Sequence, residues 1–456
     1  MHDGASDREA EERAKFDIRW KYALDLGVDA DGFDATTLCR FRARLLANEQ
    51  ERSLFEGFVL AARDAGLLSG RQILDSTAVS GAAAVKDTYQ LIRGAVRKLC
   101  KKSRRVPGLT SKLAKVLQRD DYDEVGKAQI DWSNKEAQET LLHELVADGR
   151  AAVAVAREAL VAGGGDETVV EAVDLLARIV EQDVEPADGG VQIRQGVAKD
   201  RIISVVDPDM RHGHKTSSGR FDGMKAHVAM DAASELITDI EAIAANAPDQ
   251  SAVAGVLERN EQRGLEVSEI TGDHAYGGMP TRTVCSDAGV DLVAPLARPG
   301  APEGKFGKEQ FRIDLKEPSC ICPAGASGRP SYTRAGLLRG FKFDAATCAS
   351  CPLKEHCTKA KARHITIQPD EAERQRIYAQ QATPQFQKRY RQRPLIERAH
   401  AELARIGIHQ ARYRGLRKER LQLAFSALVV NIQRAASRGL LPAMVAARPP
   451  CPRTVV

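Results

Sequence analysis

The chain has 456 residues, of which 43% are hydrophobic and 5% aromatic, and its formal net charge is +5. This size predicts a core domain with one or two additions, and the composition predicts a mostly aliphatic core. No stretch approaches the roughly 18 uncharged apolar residues of a membrane span, and the polar start lacks a signal-peptide core, so we expect an intracellular, cytoplasmic protein.

The first seventy residues predict a small helical domain. Apolar positions three and four apart in Thr36–Leu46 and Leu54–Arg63 indicate two amphipathic helices. A glycine-bounded break, Gly27–Gly32, separates them from a helical stretch that begins at Phe16. We therefore assign residues 1–70 to an N-terminal helical domain, residues 71–440 to a central domain and residues 441–456 to a flexible tail.

The central domain alternates strand and helix patterns. Residues 72–79 are rich in β-branched side chains and predict a buried strand, whereas residues 84–183 predict a helical insertion. Further strands are predicted at Ile202–Asp207, Gly223–Asp231, Ile237–Ala244, before Asp273 and at Val290–Pro295, with a helix over Ser251–Arg263. The second and third of these strands read as an antiparallel pair. Such an order predicts an α/β fold, a mixed sheet flanked by helices of the ribonuclease H-like kind.

Three acidic residues stand out in this frame. Asp75 and Asp273 each end an apolar strand-like run, and Glu397 lies on a basic helix downstream. Carboxylate oxygens suit hard divalent cations. Two such ions, about 3.5–4 Å apart, activate a nucleophile and stabilise the leaving oxygen at a phosphodiester. We therefore predict that Asp75, Asp273 and Glu397 converge to hold a pair of Mg²⁺ (or Mn²⁺) ions, although strand-end aspartates are also common turn residues.

Basic residues are concentrated in two blocks. Eleven lysines and arginines stand against one acid between Lys86 and Arg119, and seventeen against seven between Lys354 and Arg420. Mixed charges are usual on solvated helices, so this bias favours a polyanionic partner, with plain solvated surface as the alternative. The predicted DNA-binding residues of the first block are Arg97, Lys98, Lys101 and Lys102.

Around Glu397 the chain resembles the DDE transposases of bacterial insertion sequences, in particular a subgroup with cysteines before the final glutamate. Tyr390, Arg393 and Glu397 have the Tyr-x2-Arg-x3-Glu spacing of that group, whereas its later lysine falls on Ala404, next to Arg405. Further matching segments are Asp207–Lys215, Gly223–Val228, Asp273–Gly278 and Arg412–Gly415. The resemblance extends from Phe16 to about Arg438.

The resemblance implies a metal-dependent transposase that cleaves element ends in double-stranded DNA and joins them to target DNA, as a homodimer assembled on DNA at the bacterial nucleoid. Tyr390, Arg393, Arg405, Lys215 and Lys225 are then candidate DNA-binding residues. Arg393 and Arg405 stand four and eight positions from Glu397, where they could clamp phosphates. An intrahelical Arg393–Glu397 pair is the alternative reading of that spacing.

Two other functions remain open from the sequence. One is a related metal-dependent nuclease without strand transfer. The other is a non-catalytic DNA-binding relic, because related enzymes have more helical sequence before a segment like the one that begins at Phe16, and the N-terminal, DNA-binding domain would then be shortened.

The cysteines point to a second metal. Five of the nine lie within a cysteine-containing insert at residues 300–365, namely Cys320, Cys322, Cys348, Cys351 and Cys357. Such grouping in an intracellular chain suggests structural zinc, with His356 and His364 as spare ligands and reduced thiols on a β-rich insert as the alternative. The remaining four cysteines look unpaired: Cys39, Cys100, Cys285 and Cys451.

Overall fold

The computed structural model describes residues 3–163, 166–214, 219–298, 300–301 and 303–447. The chain divides into two compact units, of which the first comprises Met1–Glu266 and Leu395–Val456 and the second Val267–Pro394. Both contain helices and strands, which confirms the mixed α/β class. No helix in the described ranges has the length and apolar character needed to cross a membrane.

The first unit begins with four helices: α1 (Asp7–Phe16), α2 (Ile18–Ala23), α3 (Ala35–Ala47) and α4 (Ser53–Asp64). The last three correspond to the predicted helical stretches, whereas α1 was not predicted. A capping box fixes the start of α1, because Ser6 and Glu9 each accept the other's backbone N–H. Asp34 caps α3 in the same sense by accepting from the Thr36 backbone N–H. The helical pattern was predicted to start at Phe16, but α1 begins nine residues earlier, at Asp7.

The antiparallel sheet of the first unit is built around its longest strand. Its members are β1 (Arg71–Ser80), β4 (Arg211–His214), β5 (Arg220–Asp231) and β6 (Ile237–Ala244), and a separate hairpin is made by β2 (Val184–Ala187) and β3 (Gly190–Ile193). Strand β5 pairs with β1, β4 and β6. The predicted β5–β6 pair is therefore confirmed.

The predicted helical insertion is present as four helices: α5 (Thr88–Lys102), α6 (Leu109–Val116), α7 (Lys135–Gly163) and α8 (Glu167–Gln182). They enclose a core of their own, in which Leu91, Leu145 and Leu176 are fully buried. The segment that follows was predicted to be a strand and is not. Residues 202–207 are irregular, and their backbone groups bond to other parts of the chain: Ile202 to the Gln182 side chain, Ile203 O to the Lys86 N–H and Val205 O to Lys98.

The second unit contains a parallel pair and a separate five-stranded antiparallel sheet. The parallel strands β7 (Glu269–Thr271) and β8 (Asp291–Val293) are connected through α10 (Met279–Asp287). The antiparallel sheet follows the order β13-β12-β11-β10-β9. Its strands are β9 (Arg312–Asp314), β10 (Ser319–Ile321), β11 (Ser327–Tyr332), β12 (Leu338–Lys342) and β13 (His364–Thr366), and the remaining helices are α11 (Ala345–Ala349), α12 (Lys354–Cys357), α13 (Glu371–Gln381) and α14 (Pro384–Tyr390).

Four more helices complete the first unit: α9 (Val253–Gln262), α15 (Ile396–Arg405), α16 (Leu416–Ser437) and α17 (Leu441–Ala446). The last of them lies within the stretch predicted as a tail. It is ordered because Met444 buries its side chain against Ala61 and Ala62 of α4. Residues 448–456 of that tail lie outside the described residues.

A buried carboxylate connects three parts of this unit. Asp239 of β6 has no exposed surface and accepts hydrogen bonds from Arg52 at 2.6 Å, from Arg259 at 2.6 and 3.0 Å and from Arg263 at 3.1 Å. Burial alone would raise the pKa of Asp239. The hydrogen bond from Arg259 and the charges of Arg52 and Arg263 outweigh burial and lower that pKa to about 2.

We expect Asp239→Asn to lower the free energy of unfolding by about 3–5 kcal/mol at neutral pH, because it leaves buried guanidinium groups without their shared partner. Because the folded pKa is depressed, this stabilisation is present above about pH 4 and is lost as the pH falls toward 2. Urea denaturation monitored by circular dichroism measures the change. The control is Asp174→Asn, whose exposed carboxylate lies 4.0 Å from Arg157 and should contribute less than about 1 kcal/mol. Equal losses in the two variants would contradict the prediction.

Candidate active site

The sequence predicts Asp75 at the end of a strand, but it lies in the middle of β1. The apolar run stops at Asp75, but the strand continues to Ser80 because the ladder with β5 continues, pairing Asp75 with Val228 and Ser80 with Gly223. The side chain is largely buried, and its Oδ1 accepts the Ser76 backbone N–H at 2.9 Å. A carboxylate held in this way has a fixed position on a regular strand.

Helix α15 brings a histidine to this carboxylate. The Nε2 of His400 lies 3.5 Å from the Oδ2 of Asp75. Glu397 stands in the first turn of the same helix, three residues before His400, so the two side chains are neighbours on its surface. The helix is held against the sheet by Ile396, Ala399 and Leu403, which are fully buried. Within the first unit, the structure thus brings the helix of Glu397 to the strand of Asp75.

His400 was not selected from the sequence. Its place near the site could have been predicted, because it lies three residues after Glu397 and residues three apart share a helix face. Both of its ring nitrogens are buried without a hydrogen-bond partner among the described residues. The imidazole therefore limits the space open to the Asp75 carboxylate by direct contact.

In the second unit, Asp273 lies two residues beyond β7, at a strand end as predicted. Its Oδ1 accepts the Ala275 backbone N–H at 2.8 Å, and the Nη2 of Arg393 lies 3.8 Å from its Oδ2. Gly277, four residues after Asp273, must be glycine, because a Cβ there would stand 1.9 Å from the carbonyl oxygen of Pro295. The loop after β7 therefore takes its course from backbone contact with the end of β8.

The convergence of all three carboxylates remains a prediction, because Asp75 and Glu397 belong to one unit and Asp273 to the other. Among the described residues, no group of three or more His, Cys, Asp or Glu side chains is arranged to hold a metal ion. The donor chemistry nevertheless suits Mg²⁺, which prefers carboxylate oxygens.

The other predicted DNA-binding residues have different settings. Tyr390 ends α14 and stacks on Phe386, with 5.9 Å between ring centroids. Arg405, at the exposed end of α15, reaches Gln433 at 3.4 Å. Lys225 is half-buried and pairs with Asp249 at 2.8 Å, so its charge is compensated. Lys215 lies outside the described residues.

A second pair of carboxyl groups is buried in the first unit. They are Asp207, which begins one of the segments that resemble DDE transposases, and Glu419 of α16. Each is 1% exposed and has one oxygen without a hydrogen-bond partner among the described residues. Burial and the neighbouring Asp207 raise the pKa of Glu419 to about 7, and burial raises the pKa of Asp207. Glu419 is therefore protonated over much of the acidic range.

Four of the five grouped cysteines share one cavity, and three of these four also pack against the core that contains Cys320. Cys322, Cys348, Cys351 and Cys357 line one cavity of about 240 Å³ in the second unit. Cys320 instead packs into the core of the antiparallel sheet with Phe311 and Phe341. Burial raises the pKa of the Cys357 thiol, as do the neighbouring cysteines of the cavity, whereas Arg363 lowers it. All eight described cysteines are free thiols, and Cys451 lies outside the described residues.

Comparison with protein families gives two matches. Residues 321–436 match the model of a transposase DDE domain, and residues 1–44 match that of a transposase domain. The first match contains Tyr390, Arg393, Glu397 and the four cysteines of the cavity, whereas Asp75 and Asp273 lie outside both. No solved structure matches the chain.

We expect Glu419→Gln to stabilise the protein at alkaline pH and to have little effect near pH 4. The folded pKa of about 7 lies above the unfolded value of 4.5, so stability falls as the pH rises between the two and the full cost is present above pH 7. That cost is on the order of 3 kcal/mol. Thermal melts of the variant and the wild type between pH 4 and pH 9 measure it, and parallel curves over that range would contradict the prediction.

Proposed function

Both matched domains confirm the resemblance to the DDE transposases of insertion sequences and support a transposase function, and we propose that the chain is a DNA transposase with a ribonuclease H-like core. It would cut DNA at the ends of its element and direct the freed 3′-hydroxyl to target DNA. The observation that carries this proposal is the contact of His400 with Asp75, which shows that the helix of Glu397 lies beside the strand of Asp75.

Asp75, Asp273 and Glu397 are the residues that would hold Mg²⁺. Two bound ions supply charge neutralisation and nucleophile activation at the phosphodiester. The protein itself contributes mainly positioning and electrostatic stabilisation, as phosphoryl transfer requires. Strand β1 and His400 fix the Asp75 carboxylate, and Arg393, 3.8 Å from Asp273, presents a guanidinium group that can bind phosphate oxygens.

Double-stranded DNA is the proposed substrate, both as the inverted repeats of the element and as the target. We propose that the chain acts on the nucleoid in the cytoplasm and forms a homodimer when assembled on DNA. The alternatives are a metal-dependent nuclease without strand transfer and a DNA-binding relic. An end-labelled duplex incubated with target DNA and Mg²⁺ separates them: joined product supports the transposase, cleaved product alone the nuclease, and a bound but intact duplex the relic.

The cysteine cavity is a proposed zinc site. Four thiolates are a common ligand set for structural Zn²⁺, and three separate segments of the second unit contribute them: the turn after β10, the segment around α11, and α12. The thiols would have to turn toward the cavity to bind, since no described group is already arranged as a metal site. Cys320 does not line this cavity and lies in the core of the antiparallel sheet, so we propose the other four cysteines as the ligands.

We expect Glu397→Gln to abolish Mg²⁺-dependent cleavage of an end-containing duplex while leaving DNA binding unchanged or stronger. The substitution keeps size and helix propensity and removes the charge that a metal ligand needs. The control is Glu402→Gln, which removes a carboxylate from the same helix that pairs with Arg434 at 2.7 Å and should retain most of the cleavage. Cleavage and binding are measured side by side at a temperature where both variants are folded. Near-normal cleavage by Glu397→Gln would rule Glu397 out as a ligand and make Glu402 the next candidate.

The zinc site is tested by metal content. We expect about one zinc per chain in the purified wild type and in Cys320→Ala, and none in Cys351→Ala, because tetrahedral sites lose affinity when one of four ligands is removed. Elemental analysis gives the stoichiometry, and the thiolate absorption of the Co²⁺-substituted protein reports the ligand type. Absence of zinc from wild type grown with added zinc would refute the site, as would equal loss from Cys320→Ala.

A further inference from the structure

The first unit contains a cavity of about 660 Å³ beside helix α5, here called the α5 groove. Its walls come from five parts of the chain: α5 itself, the segments 82–86, 124–126 and 204–206, and Arg414 after α15. Segment 82–86 directly follows β1, the strand that carries Asp75. The end of that strand is fixed, since the Ser80 backbone N–H donates to His409 O and its C=O accepts from Ala411 N, both at 2.8 Å.

The groove is strongly cationic. Among the described residues that line it, seven are lysine or arginine and one, Glu124, is acidic. One of the cations has a structural role, because buried Arg93 donates to the Gly126 carbonyl at 2.8 Å and pairs with Asp121 at 3.1 Å. The other six are Lys86, Arg97, Lys98, Lys101, Lys102 and Arg414.

Those six side chains lack a direct carboxylate partner, although Glu171 acts on Lys98 and Asp207 on Arg414 at longer range. None forms an ion pair with a carboxylate in the part of the chain that the structure describes, whereas nearby Arg105 and Arg119, outside the groove, pair with Asp166 at 3.6 Å and Asp121 at 2.9 Å. The Nε of Arg97 is buried and, among the described residues, has no hydrogen-bond partner. Like charges held together without direct counter-charges repel one another, so an anion bound in the groove relieves an existing cost.

The distribution of the charges indicates a polymer. Residues 97 and 98 stand one turn from residues 101 and 102, so these pairs lie on one helix face about 6 Å apart. Lys86 and Arg414 extend the charged surface to other elements. A single phosphate would be served by a few convergent donors, whereas charges spread along a face match the repeated phosphates of a nucleic-acid backbone.

We propose that the α5 groove holds the phosphate backbone of duplex DNA beside the strand that carries Asp75. This inference rests on the proposed DNA substrate and assigns a binding role to the helical insertion. It also separates the first basic block into residues that bind DNA and residues that do not, because Lys101 and Lys102 line the groove whereas Lys112 and Lys115 of α6 do not.

The test compares two double variants with equal charge loss in the same insertion. Lys101→Gln/Lys102→Gln should make the slope of log affinity against log salt shallower by about two, because each lost phosphate contact removes about 0.9 from the slope. The control Lys112→Gln/Lys115→Gln, whose side chains are exposed outside the groove, should change it by less than half as much. Arg414→Gln should reduce the slope by about one, although it lies far from α5 in sequence. Binding to a labelled duplex is measured by fluorescence anisotropy in EDTA, and thermal melts verify folding.

Equal effects of the two double variants would overturn the proposal and leave only a general electrostatic attraction. Loss of affinity for single-stranded DNA with unchanged affinity for the duplex would overturn it as well. Because EDTA removes the metal, this outcome is independent of catalysis. A chain that binds duplex DNA through the groove but never cleaves it would refute the proposed function and support the groove.

Discussion

The first unit depends on the burial of one charge. Asp239 is placed in β6 where water cannot reach it, and three arginines from two separate stretches of chain neutralise it. Arg52 precedes α4, and Arg259 and Arg263 come from the end of α9, so a single carboxylate joins the N-terminal helices and α9 to the same strand. Removing charges from water is costly, and only a complete set of partners compensates for that cost. The ion pairs of Asp239 therefore link the formation of β6 to the docking of the N-terminal helices and α9.

The same sheet carries Asp75, one of the candidate site residues of this unit. Strand β5 pairs with β1, whose Asp75 is contacted by His400, and the segment after α15 pairs with the end of β1 through Ser80. The position of Asp75 is thus set by a regular ladder and that of α15 by buried Ile396 and Leu403. Apolar packing thus holds the helix of Glu397 against the sheet, and Glu397 lies on the part of that helix that is not buried in the core.

Much of this was predictable from the sequence where one pattern dominates. Apolar periodicity gave the helices of the N-terminal region and of the insertion, and β-branched alternation gave β1, β5 and β6. The failures have local causes. The segment 202–207 is apolar enough for a strand, but its backbone bonds to the Gln182 side chain, the Lys86 N–H and Lys98 and not to a neighbouring strand. The β2–β3 hairpin was missed although Asp188–Gly189 is a typical turn pair between its strands. Cys320 and Cys322 have strand spacing but separate, because the backbone of Cys322 enters a turn closed by Ala326. None of these outcomes follows from composition, since each depends on particular hydrogen bonds or on one turn.

The different settings of Asp75 and Asp273 have a consequence for motion. Asp75 sits inside a continuous ladder, so its backbone amide should exchange with solvent deuterium only when the sheet opens, whereas the loop of Asp273 can open locally. In the proposed metal site, the loop of Asp273 would therefore lose more conformational freedom on binding than the strand of Asp75. The close approach of Gly277 to the Pro295 carbonyl already limits the conformations of that loop, which would reduce this entropy cost.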